Sequence, residues 1–415
     1  MNRSPLLVIL VTVFIDLVGF GIVIPVLPYY LKNFNASPRA LGLLFASYSA
    51  MQLIFSPILG RLSDKYGRRP VLLVSLIGTG IGFAVMGAAT TLWMLFAGRI
   101  FSGITGGNIS TAQAYIADVT APEDRAKGMG MFGAAFGLGF IFGPALGGIL
   151  SQWHISAPFY FASALAFANA VLLYFTLPET VTADHPARQV QRGWSHFFRQ
   201  LRHRRLAVVL AIYFLFVFSF SIMTTDFTYF TMYRFDYDAT HNGYLFAYIG
   251  ILAAVVQGAL IGRLVKRYGE LPLVLVGALL LTAGLVVLPF VGPAAGGLLG
   301  LLGVMTAFSF GNSFATPTLT SLASKSVGAA EQGGVMGATQ SAASLARTVG
   351  PTIGGWLIYS SVAPGHIDDR SLRVTFWVAA GVMFAAFLLS AYLMRESSGR
   401  WSVAGEGQNA EVGGR

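Results

Sequence analysis

Twelve apolar runs alternate with short polar segments along the chain. They fall at roughly 5–28, 40–61, 71–90, 92–118, 126–150 and 157–177, then 206–231, 242–263, 271–291, 295–322, 333–360 and 372–394, each near the roughly 20 residues that cross a bilayer as a helix. Outer-membrane strands would read as short alternating segments instead. The first run is followed by eleven more and has no small-residue cleavage site, so it reads as a helix rather than a signal peptide. The pattern predicts an all-α polytopic membrane protein with twelve transmembrane helices in two pseudo-symmetric six-helix bundles.

The boundaries follow from the polar segments. Residues 1–178 form the first bundle, 179–205 an Arg- and Pro-bearing linker, 206–396 the second bundle, and 397–415 a Gly-rich polar tail expected to be disordered. Within the linker, Trp194 to Leu206 could lie on the headgroups as an amphipathic helix.

The halves repeat one another. GRLSDKYGRRPVLLVS, from Gly60 to Ser75, returns as GRLVKRYGELPLVLVG, from Gly262 to Gly277. The charges invert: Asp64 aligns with Lys266 and Arg68 with Glu270. GPALGG at 143–148 returns as GPTIGG at 350–355, and the same offset sets Asp118 against Lys325. Duplicated six-helix halves with charged, Gly-bent loops on one side point to a transporter that alternates around a central site.

Composition changes the picture little. Mean hydropathy is +0.67, and 55% hydrophobic against 11% charged residues excludes an ordinary soluble domain. The net charge of +10 is not spread as a nucleic-acid footprint. Twenty of the 27 Lys and Arg fall on the side of the chain ends and five on the other. That asymmetry predicts both termini in the cytoplasm. With no cysteine, disulfides and thiol catalysis are excluded, and all six His lie in loops or at span ends, which argues against a buried metal site. No nucleophile–base set appears, so no enzyme is expected.

Charge in the bilayer centre costs about 2.5–3.5 kcal/mol or more and marks function by default. Counting about 1.5 Å per residue puts Asp16, Arg99 and Arg347 near mid-depth. Asp16 is the one acid placed there, which makes it the candidate proton carrier; a permanent structural pair with Arg99 is the alternative. Arg99 heads a stripe with Gly103, Gly106, Ser110 and Gln113, and Arg347 shares one with Gln340, Ser344 and Pro351. Such faces belong against a cavity or another helix. Neither Arg is repeated in the other half, where Thr306 and Phe140 align with them. Arg347, Gln340, Asn108, Gln113, Gln52 and Gln257 are candidate substrate contacts, with interhelical hydrogen bonding the rival role for the amides. Asp226 reads as a solvated carboxylate near the outer interface rather than a second proton site.

With these residues assembled, the chain resembles the drug:proton antiporter branch of the major facilitator superfamily, and within it the tetracycline-resistance-type exporters. The likeness rests on the Asp16 segment, GRLSDKYGRRP, GRIFSGITGG at 98–107 and the helix-5 string GLGFIFGPALGG at 137–148. It implies proton coupling through Asp16 and Arg99. It implies a cytoplasmic gate of Gly60, Asp64, Gly67, Arg68 and Arg69 with Asp118, and an antiporter motif of Gly139, Gly143, Pro144, Gly147 and Gly148. It implies export of a small amphiphilic molecule driven by the proton gradient, without cofactor or metal. The partners are then substrate, protons and lipid, with no nucleic acid, for a monomer in the inner membrane. Tetracycline exporters of this type carry a further acid in helix 3, where this chain has Gly78, Gly80 and Gly82. A proton symporter of a nutrient or organic anion, and a non-transporting receptor or lipid-binding scaffold, are the competing readings.

Overall fold

A computed structural model describes residues 3–120, 125–181, 204–327, 332–358 and 368–412. Most of the linker therefore lies outside the described residues. Among the described residues there are fourteen α-helices, beginning with α1 Arg3–Lys32, α2 Pro38–Tyr66, α3 Arg68–Gly87, α4 Leu92–Thr105, α5 Ile109–Val119, α6 Arg125–Ser151 and α7 Ala157–Thr176. The second half has α8 Arg204–Phe235, α9 Ala239–Val255, α10 Ile261–Tyr268, α11 Glu270–Val287, α12 Gly297–Lys325, α13 Gln332–Leu357 and α14 Asp369–Val412. A 3-10 turn at Gly106–Asn108 joins α4 to α5, and a π turn at Val256–Leu260 joins α9 to α10. Read with those joins, the helices make twelve rods on the spans expected from the sequence. Nine are long and apolar enough to cross a membrane by length and composition, and no strand occurs among the described residues.

α14 continues into the segment expected to be a disordered tail. No proline follows Pro364, and extending a formed helix costs far less than starting one.

In the first half α1 packs on α6 and α7, and α3 on α4 and α7. In the second, α8 packs on α13 and α14, and α11 on α12 and α14. The halves meet along two seams, α2 with α13 and α6 with α9. Both are built on glycine and lie towards the face opposite the chain ends. A Cβ at Gly148 would stand 2.8 Å from Gly243 Cα, and one at Gly355 would stand 2.8 Å from the Pro38 carbonyl. No larger residue allows such backbone approach. Thr240 donates to the Gly148 carbonyl at 3.1 Å, Asn242 to the Tyr29 hydroxyl at 2.7 Å, and Tyr29 to the Tyr237 carbonyl.

Towards the terminal face the second half stands clear. α10 has no buried residue, and a Cβ at Gly258, Gly262 or Gly337 would meet nothing within 4 Å. The conformation is closed on the face opposite the termini.

Candidate functional site

A cavity of about 60 Å³ lies at mid-depth, walled mainly by the first half and met by Arg347 of the second. Val13, Leu17, Phe20, Leu72, Phe83 and Ile109 supply much of its apolar wall. Its polar groups include Asp16, Tyr48, Gln52, Thr79, Arg99 and Asn108 from the first half and Arg347 from the second.

The 3-10 turn organises this wall. A Cβ on Gly106 would lie 2.7 Å from the Tyr48 hydroxyl, and one on Gly107 2.9 Å from Ser56 Cα, so the glycines let the broken rod press against α2. The turn carries Asn108, itself buried, whose amide donates to the Asp16 carboxylate. Its Gly106 carbonyl accepts from Gln52 at 3.1 Å. Ser344 donates to Gln52 Oε1 at 3.4 Å, and Arg347 donates to Ser344 Oγ at 3.4 Å. A polar path thus runs from the α4–α5 break through α2 to α13, joining the halves at the cavity.

Arg99 is 1% exposed. Its Nε donates to the Leu44 carbonyl at 3.3 Å, and its guanidinium lies over the rings of Tyr48 and Phe45, 4.6 and 5.3 Å from their centroids. Such stacking suits a desolvated guanidinium. Nη2 is buried without a hydrogen-bond partner. The Asp16–Arg99 pair held open by the sequence does not form, because two ring faces and a carbonyl of α2 hold Arg99 while Asn108 holds Asp16.

The other candidates fall into place around this centre. Asn108, Gln52 and Arg347 line the cavity, whereas Gln113, Gln257 and Gln340 are not among its lining residues. Gln257 instead sits in the π turn. Of the helix-5 string, Gly139 lies against Leu17, Gly143 against Gly21 and Gly147 against Ile22, while Gly148 meets Gly243 of the other half. Pro144 packs on Gly21. One face of α6 therefore seats the helix that carries Asp16, and its end forms a seam between the halves. GPTIGG repeats the arrangement, with Gly350 on Phe218, Gly354 on Asp226 and Gly355 on Gly42.

At the terminal face, Arg68 is 2% exposed. It donates to Asp64, to Ser63 Oγ at 2.7 Å and to Asp118 at 3.1 Å. Gly67, at φ +104°, turns the chain from α2 into α3 in a conformation other residues rarely adopt. Arg69 donates to the Tyr174 carbonyl. In the second half Lys325 bonds Glu270 at 2.7 Å. The charge inversion read from the sequence is thus one ion pair built twice with opposite polarity, each pair internal to its half.

Asp226 departs from the reading as a solvated interfacial group. It is fully buried, and neither carboxylate oxygen has a hydrogen-bond partner. The reason is local: Gly354 leaves a notch on α13 that the carboxyl fills.

Sequence reasoning missed Tyr48 and Glu179, while Ser344 lies on the Arg347 stripe it did pick out. Tyr48 stands one turn before Gln52 and two before Ser56, a polar i, i+4, i+8 face that was available as a signal. Glu179 accepts from the backbone amides of Arg68 and Arg69 at 2.9 and 3.0 Å, closing the start of α3. No local pattern links residues so far apart.

Comparison with known proteins adds a family. A family model described as Major Facilitator Superfamily matches residues 9–351. The class H tetracycline resistance protein of Pasteurella multocida is 34% identical over 404 residues, covering 94% of this chain and 96% of that protein. Multidrug resistance protein 2 of Bacillus subtilis is 31% identical over 362 residues, covering 86% and 89%. Among solved structures, the human organic anion transporter MFSD10 (TETRAN) aligns with a TM-score of 0.72 at 26% identity, covering 94% of this chain and 99% of that one.

Proposed function

The chain belongs to the major facilitator superfamily and is a membrane transporter rather than an enzyme, and we propose that it exports small amphiphilic, drug- or tetracycline-like compounds in exchange for protons. The observation carrying this reading is one cavity that holds the Asp16 carboxyl of the first half and the Arg347 guanidinium of the second. Substrate bridging both groups touches both halves, so its binding bears on how they rock.

The charge excess on the side of the termini supports a cytoplasmic location for both ends. The conformation described then faces the cytoplasm. Substrate enters from there; Asp16, ionised, accepts a hydrogen bond from it, and Arg347 holds an electronegative group. After the halves rock, a proton arriving from outside takes the Asp16 acceptor and displaces the substrate. Asn108 orients the carboxyl, and Arg99, held on the rings of α2, lines the same cavity. Gly60, Asp64, Gly67, Arg68, Arg69 and Asp118 form the cytoplasmic gate in this reading. Gln52 and Ser344 couple the cavity to the seam. The drive suffices: about 1.36 kcal/mol per pH unit and about 2.3 kcal/mol per charge per 100 mV. The protein acts as a monomer in the inner membrane and requires no cofactor.

A second reading has a specific observation behind it. Two guanidinium groups and one carboxylate line the cavity, so protonating Asp16 raises its positive charge and favours an organic anion moving with the proton. Proteoliposomes with a lumenal pH dye separate the two. When substrate enters down its gradient, exchange makes the lumen more alkaline. An acidified lumen establishes symport instead, and flux without any pH change removes proton coupling.

A further inference from the structure

Asp226, on α8, lies outside the central cavity, and nothing in the exchange reaction above uses it. Its residue is 0% exposed. Both carboxylate oxygens are buried and have no hydrogen-bond partner. A carboxylate buried in a bilayer-spanning helix with no protein donor or cation on either oxygen is strongly disfavoured as an ion.

Its position ties the group to the closure between the halves. The carboxyl fills the notch at Gly354, where any Cβ would strike Oδ2. The next residue, Gly355, forms the seam: a Cβ there would lie 2.8 Å from the Pro38 carbonyl and 3.3 Å from Gly42 Cα. One turn of α13 thus covers Asp226 with one glycine and closes on α2 with the other. With no side chain at Gly354, only backbone separates the carboxyl from that seam. When the halves part there, water enters beside that backbone.

The charged groups around it do not neutralise it here. On α8, Arg234 pairs with Asp369 of α14 at 2.9 Å, and Tyr229 lies within electrostatic reach of Asp226. On α13, Arg347 is bonded to Ser344, more than a turn further into the membrane. On α2, Arg39 stacks on the Trp356 ring at 4.2 Å. At the outer end of α1, Lys32 is exposed over the Tyr29 ring. α12 has no charged residue before Lys325, at its far end.

We propose that Asp226 is a second proton-binding site, loaded while the α2–α13 seam is closed and emptied when that seam opens. A proton taken up from the side opposite the termini while the seam is open would then favour its closing and be held once it is shut. This site is distinct from Asp16, and its test needs neither substrate nor gradient, so it stands or falls apart from the export reaction.

The chain has no native cysteine, so spin labels at Trp153→Cys and Leu299→Cys, both on exposed residues, report separation of the halves on that face. The Asp16→Asn background removes titration of the cavity. Raising the pH should populate the open distance, with the open-to-closed ratio growing by up to about tenfold per pH unit, the slope of one linked proton. Asp226→Asn, always neutral, should stay closed throughout. A distance that ignores pH, or an Asp226→Asn variant that follows pH as its parent does, overturns the proposal. Should Asp226→Asn fail to insert, infrared spectra provide the test. A protonated-carboxyl band at neutral pH that moves on Asp226→Glu supports the proposal, and its absence refutes it.

Discussion

Replacing Gly148 by alanine should open the face opposite the termini without unfolding either half. The added Cβ would stand 2.8 Å from Gly243 Cα, 3.0 Å from the Ala239 carbonyl and 3.2 Å from Thr240 Cα. All three are backbone atoms of α9, so no flexible side chain can yield. Overpacking of this kind costs about 1–3 kcal/mol. Because the clash exists only while the halves touch, that cost falls on the closed state alone and shifts the equilibrium roughly 5- to 150-fold. Gly355→Ala should act alike through Pro38 and Gly42. Gly143→Ala should not: its Cβ would meet Gly21 Cα and the Val18 carbonyl, both at 2.7 Å and both within the first half, so every conformation bears the cost. Gly337→Ala, with nothing within 4 Å, is the neutral control. Label distances between positions 153 and 299, paired with thermal unfolding in detergent, read both effects. The expected pattern is longer distances with little loss of stability for Gly148→Ala and Gly355→Ala, and lower stability at unchanged distance for Gly143→Ala. Unchanged distances in both seam variants, with stability lost as in Gly143→Ala, would refute the assignment of these glycines to the moving contact.

Two further outcomes follow from the charges. Arg347→Gln and Arg347→Lys should each weaken binding of substrates with acidic or phenolic groups, since neither reproduces the planar fork of the guanidinium; equilibrium binding with wild-type affinity in both would remove Arg347 from the site. Losing one partner of the Arg68–Asp118 pair, in which Arg68 is buried and Asp118 is exposed to solvent, should cost about 1 kcal/mol. The Glu270–Lys325 pair shows the opposite polarity in the same role. Arg68→Glu combined with Asp118→Lys should therefore unfold at a higher temperature than either single variant, and a double variant no better than the worse single one would contradict the equivalence.

The sequence disclosed what depends on long-range pattern. Twelve apolar runs matched the rods, and the repeats at Gly60–Ser75 and 143–148 marked the halves and their inverted charges, whereas the glycine seams between the halves came only with the structure. Details set by tertiary contact were hidden. Gly106–Asn108 read as uninterrupted helix, yet close approach to Tyr48 and Ser56 turns it into the 3-10 segment that aims Asn108 at Asp16. Depth along a helix placed Asp16 and Arg99 at similar heights but could not tell that Arg99 would turn onto the rings of α2. Asp226 was misread because distance from a helix end says nothing of the notch a glycine on another helix provides.

Proton coupling through Asp16 is the central claim, and Asp16→Asn tests it most directly. The amide retains the size of the carboxyl and its place beside Asn108 but cannot exchange a proton. In proteoliposomes the variant should still exchange labelled for unlabelled substrate when no gradient is imposed, showing that it is folded, inserted and able to rock. Under an imposed pH gradient it should accumulate no substrate above equilibrium, whereas the wild-type protein should. Undiminished uphill accumulation by Asp16→Asn would contradict the account and move the coupled proton elsewhere in the chain.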